Sequence, residues 1–279
     1  VGGGQGGPFN LQVNISSIDR IDYSNDVATA SARFSSPTAI RRHGIRATGN
    51  QSYGWFAGGI NDDLTPDAPT STVQRINYAS DTSYTTRGYL NRSASFGAAT
   101  GNANGGYFAG GTNHPTTPYV YYSSVSYIDY SNDLNQATPK GNLSSEQWKM
   151  SATGDANFGY FSGGLLADTR SRIERIDYAN DTVQATPKGR LSVARYGHTA
   201  SSARANGFTP VVGPAYADAF AIESRPSSTF GYFAGGDINP GTGQNTYTSV
   251  VDRITFDNDT VTASVRTPLN TAKNTLAGV

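Results

Sequence analysis

The sequence predicts an all-β protein, a five-bladed β-propeller of four-stranded blades in a single domain over 1–279, closed where its N- and C-terminal strands pair. Three observations predict it: an aromatic–glycine phrase that recurs along the chain, a period of about 53 residues, and strand-type alternation inside each period. The phrase reads GWFAGG at 54–59, GYFAGG at 106–111, FGYFSGG at 158–164 and FGYFAGG at 230–236, with VGGG at the N-terminus as a worn copy. With the second glycine of each doublet as marker, Gly4, Gly59, Gly111, Gly164 and Gly236 stand 55, 52, 53 and 72 residues apart.

Each element of the unit has its own warrant. The aromatic run ending in glycines reads as a strand that fills the space between neighbouring blades with flat rings, while the glycines admit a sharp turn or a close backbone. A second phrase follows every marker: SSIDRIDYSND at 16–26, STVQRINYASD at 71–81, SSVSYIDYSND at 123–133, SRIERIDYAND at 171–181 and SVVDRITFDND at 249–259. It alternates with period two, as a strand with two distinct faces does, and it ends in the Asn and Asp residues that hairpin turns favour. Asp22 with Asp26, Asp129 with Asp133, and Asp177 with Asp181 are read as turn residues, with calcium ligation as the alternative. Arg20, Arg75, Arg175 and Arg253 share one repeat position, with Tyr127 as the exception, and are expected to pair across strands with Asp22 or Asp177. A third phrase, TPKGNLSSEQWKMSA at 138–152, TPKGRLSVARYGHTA at 186–200 and VRTPLNTAKNTLAG at 265–278, carries the chain into the next unit.

The fourth interval is long because of an insertion at about 203–226, which falls between two strands and therefore projects from one end of the ring. Within it, Pro214 followed by AYADAFAIESR is expected to start a short helix, and the segment reads as a cap or a docking arm. The termini are in phase: aligned to the third unit, Val279 falls at Thr153 and Val1 at Phe161, so the segment near 271–279 is expected to lie beside the N-terminal strand. The chain starts at Val1, as a processed product or an excerpt would.

Composition narrows function. Basic and acidic residues balance at 21 each and charged residues make up 15%, so no footprint for nucleic acid or an anionic membrane exists. There is no cysteine, hence no disulfide, thiolate nucleophile or cysteine zinc site, and no apolar run reaches the roughly 18 residues of a membrane span. No cofactor is expected. His43, His114 and His198 come without ligand spacing and read as surface or packing residues. VGGGQGG lacks the Gly-Lys-Ser/Thr and the helix of a phosphate loop.

A strand ending in a Gly-Gly doublet, a variable loop, an aromatic-bearing strand and a downstream arginine strand resemble a kelch-type propeller repeat. The expected tryptophan is replaced by Tyr23, Tyr78, Tyr130, Tyr178 and Phe256. The fuller consensus, GYFxGG then RIDYxNDTxxATxKGxL, resembles repeats of tailed-bacteriophage virion and tail proteins. That resemblance implies a virion or extracellular location and a place in a larger assembly, and the copper chemistry of some kelch enzymes is excluded because its cofactor needs a cysteine.

Positions repeated in every unit serve the fold, so ligand-binding residues are expected where units differ, in the loops after the doublets. These supply Asp62, Asp63, Asp67, His114, Tyr119, Tyr121, Tyr122, Asp168, Arg170 and Asp237, residue types that hydrogen-bond or stack on sugars and protein loops. The function expected is a non-enzymatic structural or receptor-binding propeller of a virion appendage. The alternatives are a secreted carbohydrate-binding module and, behind it, a propeller glycosidase whose two carboxylates would have to be aspartates, Glu occurring only at 146, 174 and 223.

Overall fold

The structure is a computed structural model and describes residues 2–6, 13–20, 31–35, 41–64, 66–202, 230–238 and 246–274. The insertion expected at 203–226, with its short helix, lies outside these residues, as do Asp22, Tyr23, Asp26 and the chain ends. The described residues are all β, built from successive antiparallel sheets in a β-propeller-like arrangement.

Four units form complete four-stranded sheets in sequential order. In the third, Ala98–Gly101, Gly105–Ala109, Val125–Asp129 and Thr138–Lys140 pair one after the next. The second runs from Arg46–Gly49 to Tyr84–Tyr89, the fourth from Ser151–Gly154 to Thr186–Arg190, and the fifth from Thr199–Ser202 to Ser264–Arg266. The first unit shows three strands, Gly2–Gly6, Val13–Arg20 and Ser31–Ser35. First strands of successive units lie side by side, Arg46–Gly49 against Ala98–Gly101, then Ser151–Gly154, then Thr199–Ser202, and so mark the inner side of the array.

The glycine doublets have a physical reason. Both glycines of each described pair from Gly58–Gly59 to Gly235–Gly236 adopt left-handed backbone, with φ between 60° and 110°. The turn this makes aims the second amide at the segment that leads into the next unit: Gly59 donates to Ala94 (2.9 Å), Gly111 to Gln147 (2.9 Å), Gly164 to Arg195 (2.9 Å) and Gly236 to Lys273 (2.7 Å). A Cβ on Gly58 would run into the Ala94 carbonyl, and one on Gly163 into that of Arg195.

The core lies between units. In the second, third and fourth units the second-strand aromatic stacks on the aromatic of the next unit's second phrase: Trp55 on Tyr130 (3.7 Å between centroids), Tyr107 on Tyr178 (4.7 Å), Tyr160 on Phe256 (5.0 Å). Trp55, Tyr107 and Tyr160 are buried to 2% exposure or less. Three residues beyond each stacked ring stands an aspartate that gathers cations from the preceding unit. Asp133 accepts from Trp55 Nε1 (2.8 Å), Arg75 (3.0 Å) and Arg87 (2.7 Å). Asp181 takes Tyr107 Oη (2.7 Å) and Lys140 (2.9 Å); Asp259 takes Tyr160 Oη (3.0 Å), Arg175 (2.8 Å) and Lys188 (3.2 Å); Asp81 takes Arg20 (2.7 Å) and Arg33 (2.6 Å).

This corrects the expected pairing of the repeated arginines. Arg75 and Arg175 reach past their own unit to the last aspartate of the following unit's phrase, and Arg20 likewise reaches Asp81, while its expected partner Asp22 lies outside the described residues. The first aspartate of the phrase does turn work, as Asp129 Oδ1 accepts the Ser131 amide (2.8 Å) and Asp177 Oδ1 the Ala179 amide (2.9 Å). Among the described residues no group of three or more His, Asp or Glu is placed to hold a metal ion.

Candidate functional site

At one end of the array, two sets of segments meet: the loops between second and third strands, and the links from one unit to the next. They are tied together by a repeated ladder. The link residue pairs with the residue just after the doublet, as His43 with Ile60, Ser95 with Thr112, Trp148 with Leu165 and Tyr196 with Asp237. That residue pairs in turn with the end of its loop, Ile60 with Pro69, Thr112 with Tyr121, Leu165 with Thr169 and Asp237 with Tyr247. Each loop is thus drawn inward onto its link.

The next link residue forms a backbone chain across units. Phe96 N–H donates to Gly44 O (2.8 Å), Lys149 N–H to Phe96 O (2.6 Å) and Gly197 N–H to Lys149 O (2.8 Å). All four have left-handed backbone, with φ of 63° at Gly44, 55° at Phe96, 54° at Lys149 and 60° at Gly197. Glycine occupies this conformation without strain, whereas Phe and Lys pay a steric penalty of about 1–3 kcal/mol. Two units therefore carry a large side chain where the geometry favours none.

Those two side chains build the centre of a cluster. The Lys149 ammonium lies 4.4 Å from the Trp148 ring, 5.4 Å from Tyr196 and 5.7 Å from Phe96. Burial holds its pKa below the usual lysine range, against the opposing charge of Asp237. Phe96 meets His43, His114 and Trp148 edge-on, at 5.7, 6.3 and 5.9 Å. Tyr119 lies 5.1 Å from His114, and Tyr121 lies 5.8 Å from Trp148. Asp237 accepts from Tyr196 Oη (3.1 Å); burial first, then this bond, pushes the phenol up to about 12. Trp148 Nε1, His114 Nδ1 and Arg170 Nε are buried atoms with no hydrogen-bond partner in the protein. Two of them belong to rings of the cluster.

Of the residues expected to bind, His114, Tyr119, Tyr121 and Asp237 come together here. Asp237 is not the surface acceptor the sequence implied, being fully buried. Asp62 lies at the rim, 3.4 Å from His43 Nδ1, and burial raises its pKa against the pull of His43. Asp63 binds Arg41 instead (2.8 Å), whose backbone amide does most to hold the carboxyl below its usual range. Tyr122 lies under the Arg92 guanidinium at 4.8 Å, Asp67 and Asp168 are exposed, and the Arg170 amide closes its own loop onto Gly164 O (3.0 Å).

Sequence reasoning missed Phe96, Trp148, Lys149 and Tyr196, because they stand in the links between units, the last three within the third phrase, which reads as structural. The available signal was misalignment: Gly44 and Gly197 align with Phe96 and Lys149. His198 is a core residue, 4% exposed, with Nε2 2.9 Å from the equally enclosed Ser162 Oγ. That pair has a nucleophile-and-base geometry but no approach for a substrate.

No family model matches the chain, and no curated protein matches it. Among solved structures, one described as "Structure of YjhT" superposes with a TM-score of 0.65 over 89% of this chain and 77% of that one, at 11% sequence identity. At that identity the likeness is one of fold.

Proposed function

We propose that the chain is a non-enzymatic recognition propeller that binds a surface ligand or partner protein through its loop end. The observation that supports this reading is the ring-lined cluster in which Phe96 and Lys149 are kept at strained backbone positions. Strain of this kind persists where the side chain serves something other than the fold. Aromatic planes at Trp148, Tyr121, Tyr119 and Phe96 offer stacking area. In line with the repeat style, we place the module in a virion appendage.

The scaffold we infer is one ring of five units. What supports this is the repeat of one contact at the last described link, where Gly236 holds Lys273 as Gly59 holds Ala94.

A carbohydrate-binding reading is favoured by one observation, the half-exposed Tyr119 ring beside His114, with Tyr121 beside Trp148, which together offer flat faces for a sugar to stack on. Lys149→Gly and Trp148→Ala variants tested against intact cells and a glycan array separate these readings. Lys149→Gly should fold with stability within about 1 kcal/mol of the parent, because glycine relieves the backbone it replaces, yet lose attachment at least tenfold. Attachment that survives both variants refutes the site.

A further inference from the structure

The belt formed by Gly44, Phe96, Lys149 and Gly197 is made by backbone groups alone. Glycine does that work at both ends of the series, so the belt needs no side chain from the two residues between. What the Lys149 side chain adds is a charge. Its ammonium stands among the rings of Trp148, Tyr196 and Phe96, all of which, like Lys149 itself, are part-exposed. Among the described residues no oxygen accepts a hydrogen bond from it. Asp237 acts on it through its field, but both oxygens of that carboxylate are committed, one to the Tyr196 hydroxyl (3.1 Å) and the other to the Thr246 amide (3.3 Å). An ammonium has three donors, and one partly withdrawn from water with none of them accepted by the protein is suited to an anionic ligand.

The neighbouring basic groups point the same way. His43 and His114 flank Phe96 on its other sides, at 5.7 and 6.3 Å between centroids. After burial, the charges of His43 and Lys149 are what lower the His114 pKa, so the three groups are close enough to repel one another. Asp62 answers His43 at 3.4 Å, and an anion at Lys149 would offset the rest. Beside the charge lies a flat, open face. Tyr119 is 51% exposed next to His114, and Tyr121 lies against Trp148, the ring nearest the ammonium.

Resting on the loop-end recognition reading, we propose that the ligand is an acidic sugar, its ring stacked on the Tyr119 and Tyr121 side of the cluster and its singly charged carboxylate or sulfate ester bound by Lys149. A single charge matches the site, because one lysine with Asp237 and Asp62 close by balances one acid group better than a phosphate dianion.

The test uses the full chain and immobilised oligogalacturonate, oligoalginate and sulfated galactan oligomers, each beside its neutral counterpart, methyl-esterified or desulfated. The protein should bind at least one acid about tenfold more tightly than its neutral counterpart, with affinity falling as salt is added. Which acid binds tells carboxylate from sulfate. Lys149→Met, which keeps length but not charge, should lose about tenfold and flatten the salt dependence, while Lys149→Arg restores binding to within about threefold. Equal binding of acid and neutral members, no binding of any acid, or acid binding that survives Lys149→Met in a protein with unchanged β circular dichroism overturns the proposal. Failure of the ligand class is distinct from failure of the site. Cell attachment that is lost in Trp148→Ala while no acid binds removes the acidic sugar and leaves loop-end recognition standing, whereas attachment indifferent to Trp148→Ala removes the site itself.

Discussion

His198 shows how one side chain's protonation becomes a property of the whole protein. It is fully enclosed, its Nε2 faces Ser162 Oγ at 2.9 Å, and burial first, then the charge of Arg195, lower its pKa to about 3. The unfolded chain takes up its proton near 6.5, so between those values the unfolded state binds more protons and stability falls as pH falls. The contribution is whole above pH 6.5 and drains away toward pH 3. Urea midpoints measured from pH 7 to pH 4.5 should therefore decline in the parent and stay flatter in His198→Gln. Equal slopes in the two would place the acid sensitivity elsewhere. The sequence supported reading His198 as a packing residue, since no ligand spacing surrounds it, but the enclosure comes from segments distant in sequence. The same gap hid Lys149 and Phe96, whose strained backbone is invisible until the links are superposed.

Between units, the two aspartates of one phrase do unequal work. Asp129 holds a turn, with Oδ1 accepting the Ser131 amide and hydroxyl at 2.8 and 2.7 Å. Asp133, 3% exposed, is the partner of Trp55, Arg75 and Arg87 from the unit before. Burial alone would raise its pKa, but hydrogen bonds from Arg87 and Trp55 and the two guanidinium charges together hold it below the usual carboxylate range. Asp133→Ala leaves those groups unpaired in a closed space and should cost about 3–5 kcal/mol. Asp129→Ala, losing exposed turn bonds, should cost about 1 kcal/mol. Guanidinium denaturation of the two variants checks the order, and equal losses would refute it. Because Asp133 is held low, its contribution is whole above the ordinary carboxylate range and is lost as pH falls through its depressed value. The turn was legible from Asn and Asp at a strand end. The partner was not, because Arg75 lies 58 residues away and nothing in one repeat says whether its arginine looks inward or to the next unit.

At the scale of the molecule, the period was legible because each unit's packing and turn chemistry had to be written again, and the insertion was legible as a break in that period. Thr199–Ser202 and Phe230–Ala234 flank the insertion in normal register, Ser202 opposite Gly231 as Gly154 is opposite Gly159. In the fourth unit the same hairpin is closed by Asp155, Ala156 and Asn157, with Asp155 Oδ1 accepting the Asn157 and Phe158 amides at 2.7 and 2.8 Å. Asn50 and Asn102 do the same in the second and third units. Removing 203–226 leaves Ser227, Ser228 and Thr229 to join the strands, again three residues. The deletion should therefore fold into the same β protein, and Ser227→Asp within it should add stability by restoring the side-chain acceptor that caps the turn. Antiparallel strands put this hairpin at the end opposite the Lys149 cluster, so attachment through the loop end should persist while any contact made by the insertion is lost. Circular dichroism and cell attachment of the deletion variant decide the matter: a collapsed fold would make the insertion part of the core, and a folded protein that no longer attaches would move recognition to the other end.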